Sequence, residues 1–327
     1  MRNWRGAWWL PGGHAQTIWP TWWSYCGAMP AYRRQRWDSP DGDFIDVDVV
    51  AAPAPGPSRI QLVLFHGLEG SSASPYARAF AAIAANRGWD YAVVHFRGCS
   101  GSINRAPRAY HSGDYEEIDW ILKRMASAHP GPSVAVGVSL GANALLRWAQ
   151  EAGQQACQMV QAIAAVSAPL DLSACGQAID SGVNRWLYAR HFLRTMKPRA
   201  VQKWHQYPGL FDLHRLLGAR TLYEFDDVFT APLHGFRGTA DYWRRAAARP
   251  HLQRLRLPTL ILNATNDPFY PSQHLPGPAE VSPWVSLWQP RSGGHCGFAQ
   301  GHPPGHVMDM PQAVVQWLAE HVSTTCG

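Results

Sequence analysis

The stretch Ser133-Val134-Ala135-Val136-Gly137-Val138-Ser139-Leu140-Gly141-Ala142-Asn143-Ala144-Leu145-Leu146-Arg147-Trp148 decides the fold. A short apolar run enters a serine flanked by glycines, and a segment with helical apolar spacing, 140–151, leaves it. An unbroken apolar run of this length predicts a strand covered on both faces, as in a parallel sheet. The junction Gly137-Val138-Ser139-Leu140-Gly141 fits G-x-S-x-G. As a pentapeptide that match is weak, but between a strand and a helix it marks an exposed serine on a sharp, strained turn. Gly137 and Gly141 supply the room such a turn needs.

Working outward, the same alternation repeats. Apolar runs at 61–65, 91–96, 162–166, 259–263 and 285–288 predict further buried strands, and helical spacing recurs at 75–86, 115–128 and 311–321. Pro75 and Pro311 suit a first helical turn. Strands alternating with helices predict an α/β fold with a mostly parallel, doubly wound sheet. Ahead of it, 33–37 and 44–50 alternate in and out around Ser39-Pro40-Asp41-Gly42-Asp43, an antiparallel hairpin with turn chemistry at its tip.

The alternation breaks over 170–257, where Arg, His, Trp and Tyr fall at helical spacing between two sheet strands. This reads as an inserted helical cap over the carboxyl edge, where open α/β sheets bind ligands. The expected organisation is therefore a Trp-rich arm at 1–32, a core formed by 33–169 and 258–327, and the cap at 170–257. Six of the 16 tryptophans (Trp4, Trp8, Trp9, Trp19, Trp22 and Trp23) fall in the arm without a clean period. They predict an irregular segment packed on the body and walling a pocket, with peripheral contact to a membrane as the rival use. A short Pro/Ala connection spans 51–57.

Composition bounds the function. With 327 residues, 46% hydrophobic and 16% charged, the chain is neither disordered, coiled-coil nor collagen-like. No apolar run approaches the length of a membrane-spanning helix. Pro11-Gly12-Gly13-His14 interrupts any signal-peptide core, so a cytoplasmic location is expected. Six dispersed cysteines without a C-x-x-C pair predict reduced thiols. The net charge of +6 is concentrated in 170–257, which holds 14 basic and seven acidic residues. They form no dense block, so nucleic-acid binding is not expected, and scattering over solvated helix faces is.

A serine hydroxyl needs a base and an orienting carboxylate to act as a nucleophile, and in this architecture they follow in the order Ser, acid, His. Asp267 follows the strand at 259–263, in Asn266-Asp267-Pro268. His295 follows the strand at 285–288, in Gly293-Gly294-His295-Cys296-Gly297. Asp226 and Asp227 lack a preceding strand, and Asp309 comes after the histidine. The predicted triad is Ser139, Asp267 and His295. An oxyanion would be held by the Leu140 N–H, next to the nucleophile, and the Leu68 N–H in His66-Gly67-Leu68-Glu69-Gly70. His66 is expected to anchor that loop. The tract His302-Pro303-Pro304-Gly305-His306 cannot form the helix that aligns metal ligands, and no phosphate-binding glycine motif occurs. Neither a metal nor a cofactor is expected.

With these elements in place, the chain resembles the YheT-like branch of the α/β-hydrolases, which is related to mammalian abhydrolase-domain esterases and lipases. The resemblance rests on Gly13-His14-Ala15-Gln16-Thr17, His66-Gly67-Leu68-Glu69-Gly70-Ser71, Phe96-Arg97-Gly98-Cys99-Ser100-Gly101, Tyr110-His111-Ser112-Gly113, the elbow, Asn266-Asp267-Pro268-Phe269 and Gly293-Gly294-His295. Gly12-Gly13 stands where the family's first motif has Asn-Pro, and His95 and Ala142 are further departures. The resemblance implies an α/β-hydrolase fold and hydrolysis of small-molecule or lipid carboxylic esters by the Ser139, Asp267, His295 triad. Some relatives carry a membrane anchor before the Trp-rich arm, and none is expected here. A thioesterase or lipase is the nearest alternative. A ligand-binding pseudo-hydrolase is the alternative of another class, and it should have lost a triad member.

Overall fold

The computed structural model describes residues 4–52 and 59–322. The Pro/Ala connection predicted at 51–57 therefore falls mostly outside the described residues, as does Cys326.

The apolar runs form one eight-stranded sheet: β1 (Arg33–Asp38), β2 (Phe44–Val50), β3 (Gln61–Phe65), β4 (Asp90–His95), β5 (Ser133–Val138), β6 (Ala162–Val166), β7 (Thr259–Leu262) and β8 (Val285–Trp288), in the order β1-β2-β4-β3-β5-β6-β7-β8. The β1–β2 hairpin joins antiparallel, and every pairing from β4 to β8 is parallel. Because successive side chains of a strand point to opposite faces, Leu62 and Leu64 enter one core while Val63 and Phe65 enter the other. α2 (Pro75–Asn86) and the terminal helix Asp309–His321 cover the first face; α3 (Tyr115–Ala128) and α4 (Leu140–Ala152) cover the second.

β4 ends one residue before the predicted 91–96 run because the Phe96 N–H leaves the ladder and donates to His66 Nε2. The hairpin is bolted on by charge. Arg34 faces Asp48 and Arg36 faces Asp46 across the register, at 2.7 and 2.8 Å. Arg97, buried, reaches Asp41 and Asp43 at the hairpin tip and Glu117 of α3. That network explains why the Phe96-Arg97-Gly98-Cys99 stretch sits where it does. Asp114, at the start of α3, pairs its carboxylate with Arg108 rather than capping the helix by its side chain.

Two expectations are corrected. The arm is not irregular throughout: Gly12–Trp22 is a helix, α1. Its inward side chains are Gln16, Thr17 and Pro20, while Trp22 faces out. With a polar inner face, the apolar period that announces a helix is absent. Of the thiols, Cys26, Cys99, Cys175 and Cys296 are free, whereas Cys157 is disulfide-bonded. Spacing along the chain carries no record of a pairing made by the fold.

Between β6 and β7 the described chain has helices joined by loops and no strand, including α5 (Leu172–Ile179), the longer helix Arg190–Gln206 and π-helical turns at Arg185–Ala189 and Asp226–Thr230. It has its own apolar cluster, among them Leu193, Phe211, Leu216, Phe225 and Phe229, which meets the core through Phe269.

Candidate active site

The turn from β5 to α4 holds Ser139 at φ 52 and ψ −119. This is backbone that L-residues occupy only under constraint. The constraint is close packing. A Cβ on Gly137 would lie 2.5 Å from Ala142 Cα, and one on Gly141 would lie 2.5 Å from the carbonyl oxygens of Phe65 and His66. Both glycines are therefore required for the elbow to sit against β3.

Asp267 and His295 leave the carboxyl ends of β7 and β8 and meet the serine there. His295 Nε2 lies 2.8 Å from Ser139 Oγ, and His295 Nδ1 lies 2.8 Å from Asp267 Oδ2. The second carboxylate oxygen, Oδ1, accepts the Phe269 N–H at 2.8 Å. The Phe269 ring stacks on the imidazole with centroids 4.1 Å apart. The Asp267 side chain is fully buried and that of His295 nearly so. Burial works against the imidazolium, but the Asp267 charge overrides it and raises the histidine above its ordinary 6.5.

His66 behaves as an anchor. Burial lowers its pKa to about 3, so the ring is neutral; it accepts the Phe96 N–H and its Nδ1 donates to Gly67 O. In the loop it anchors, the Gly67 N–H donates to Tyr76 and the Glu69 N–H to Tyr110. The Leu68 N–H lies between them. Leu140 opens α4, where the first amides have no intrahelical acceptor. Leu68, Leu140, Ser139 and His295 line one cavity of about 330 Å³. Its lining joins the buried apolar Ile179, Leu222, Phe225 and Phe229 to the charged Glu69, Arg97, Arg199, Lys203 and Asp226. A second cavity of about 420 Å³ also touches Ser139 and His295 and runs past Ile18 and Tyr188 to the exposed Trp22 and Leu187. Ser139 and His295 thus stand between an inner and an outer chamber.

Sequence reasoning assigned no role to Gln16 and Thr17, which brace the loops that carry Asp267 and His295. Gln16 Oε1 accepts from Gly293 N and Asn266 Nδ2, at 2.8 and 2.9 Å. Thr17 Oγ1 accepts the His295 N–H at 2.8 Å. α1 approaches so closely that a Cβ on Gly13 would lie 1.9 Å from Asn266 O, and one on Gly297 would lie 1.8 Å from Gln16 O. Two adjacent polar residues among tryptophans were the available signal. Asn143 does comparable work behind the elbow, tying Ser112 and Ala246 to α4.

The sequence matches the α/β hydrolase fold family over residues 61–302. The chain belongs to that family. Among curated proteins, this hydrolase is 40% identical over 291 residues to YheT of Escherichia coli K12, named a candidate esterase, covering 88% of this chain and 85% of that one. It is 30% identical over 301 residues to the mouse phospholipase ABHD3, covering 89% and 72%. Among solved structures, Est1E from Butyrivibrio proteoclasticus shares the fold with a TM-score of 0.56 at 13% identity, covering 89% of this chain and 99% of that one. The protein is an α/β-hydrolase of the esterase and lipase type.

Proposed function

We propose that the protein hydrolyses carboxylic esters through an acyl-enzyme on Ser139. The observation that carries this reading is the unbroken chain from Ser139 Oγ to His295 to Asp267, with 2.8 Å at each link. As Ser139 Oγ attacks the ester carbonyl, its proton passes to His295 Nε2. Asp267 holds the ring in the tautomer that can accept that proton and stabilises the imidazolium. The Leu68 and Leu140 amides receive the developing oxyanion. Collapse expels the alcohol, which takes the proton from His295. Water, deprotonated by the same nitrogen, then releases the acid and restores Ser139. A pseudo-hydrolase would have no use for this complete proton path.

The two chambers support an assignment of substrate parts. The inner chamber, with Ile179, Leu222, Phe225 and Phe229 beside a few charged groups, suits an acyl chain of moderate length, and the outer chamber suits the alcohol. In this reading residues 170–257 form a cap over the site, since Ile179, Leu222 and Phe225 close the inner chamber from above the sheet. Relatives named phospholipase and monoacylglycerol lipase favour a lipid ester. A panel of p-nitrophenyl esters from acetate to palmitate, beside a fluorophosphonate probe, tests the reading. Turnover and labelling together are expected; labelling without turnover of any ester or thioester would overturn it.

Because only the neutral imidazole can act as base, kcat/KM should rise with pH. The Asp267 charge raises the His295 pKa, so the half-maximal point should lie above pH 6.5. In Asp267→Asn the raising charge is gone and the acid limb should move down. A wild-type profile already flat at pH 6 would contradict this.

Thr17→Val removes the acceptor for the His295 N–H but leaves the triad intact. Misplacing a catalytic group by about 1 Å can cost on the order of 10²-fold, so kcat should fall by about 10- to 100-fold with KM little changed. Thr17→Ser keeps the oxygen and should restore kcat. Equal kcat in the two variants would reduce Thr17 to a packing residue.

A further inference from the structure

The helical segment that lines the outer chamber also carries exposed apolar side chains and a separate basic hollow. The chamber lining includes Trp22 from α1 and Leu187 from the π-helical turn, 65% and 42% exposed. Next to Leu187, Trp186 is 70% exposed and helps line a surface hollow of about 680 Å³. Arg185, Arg190, Arg194, Lys197 and Arg220 line that hollow.

Elsewhere between β6 and β7 six of the nine other cations are in ion pairs: Arg199 with Glu69, Arg215 with Asp227, Arg249 with Glu280, and Arg237, Arg244 and Arg245 with Asp241. Among the described residues, no ion pair is recorded for the five around the hollow. Two acids act on them through space, Asp180 on Arg185 and Glu224 on Lys197, but both carboxylates bond to backbone amides: Asp180 accepts from Leu222 and Tyr223, and Glu224 from Arg220 N. The Lys197 pKa is lowered by burial and by Arg220, against Glu224.

The clustering has a local cause. The π turn closes with the Arg190 N–H on Arg185 O, five residues back. It thereby stacks Arg185 over Arg190, and Arg194 and Lys197 follow at helical spacing. The basic residues of this segment are not all scattered, as the sequence suggested; a third of them share one hollow.

We propose that the face around this hollow docks on an anionic lipid bilayer, with Trp186 entering the headgroup region and the five cations meeting lipid phosphates. Indole rings favour that depth, and a surface combining Lys and Arg with Trp and Leu is the pattern of proteins that lie on membranes. The charge complements an anionic leaflet. Docking of this face does not rest on the ester-hydrolase reading above.

Co-sedimentation of the full chain with vesicles tests docking without reference to activity. Vesicles of equal parts phosphatidylglycerol and phosphatidylcholine should carry the protein down at low salt, and phosphatidylcholine alone should do so far less. Each cation near an anionic surface contributes about fivefold in binding, so Arg190→Glu combined with Arg194→Glu should weaken it at least about 20-fold. Trp186→Ala should weaken it as well. Both variants should hydrolyse a short soluble ester at the wild-type rate, which shows that they are folded. Failure of the wild type to bind the mixed vesicles, unchanged binding by both variants, or retention on heparin without vesicle binding would each overturn the proposal. A protein that docks but cleaves no ester would retain the docking face and lose the hydrolase reading instead.

Discussion

Ser139→Ala should lower ester turnover by about 10⁶ in kcat, with KM nearly unchanged, because removing the nucleophile of a serine triad costs that order of magnitude. His295→Ala should do comparable damage, and the double variant should be little worse than either, since the two act as a unit. Ser139 is a stringent test because its backbone is held at φ 52 by packing of its glycine neighbours, and alanine can occupy the same turn as readily as serine. The loss therefore reports on chemistry rather than folding. Fluorophosphonate labelling should vanish in Ser139→Ala. Labelling at the wild-type level in that variant would place the nucleophile on another residue.

Asp267→Asn should cost about 10⁴ in kcat. The structure predicts how. The Phe269 N–H requires an acceptor at the Oδ1 position, so the amide oxygen of the substitute stays there and its NH₂ faces His295 Nδ1. The imidazole must then accept on Nδ1 and carry its proton on Nε2, the nitrogen that has to receive the serine proton. The fold should persist, which thermal unfolding can verify. A kcat near the wild-type value would assign the third role to another carboxylate.

Much of the fold was legible because the inner parallel strands are covered on both faces and so read as apolar runs, while β8, at the half-exposed edge, keeps a short one. β3, β5, β6 and β8 fall where those runs fall. The three residues read from the elbow and from the ends of β7 and β8 lie within hydrogen-bonding distance of one another, since an open sheet brings its carboxyl ends to one edge. α1 was illegible for the opposite reason: it turns Gln16 and Thr17 inward, so its inner face is written in polar residues. The basic hollow was hidden by the π turn, which changes the register that regular helical spacing assumes. The Asn143 brace depends on chain segments about 30 and 100 residues away, and local pattern carries no trace of them.

The brace from α1 to the histidine loop also sets an order of assembly. Gln16 is bonded to Gly293, 277 positions away, and Thr17 to His295, 278 positions away. On a ribosome the helix emerges among the first segments and its partners among the last. Closing so long a loop is slow compared with local contacts, and domains generally fold as units. On the triad reading, a chain that has made Ser139 still lacks the base to activate it. Hydrolytic competence then arrives only when the two distant segments clasp, and a half-made chain stays inert.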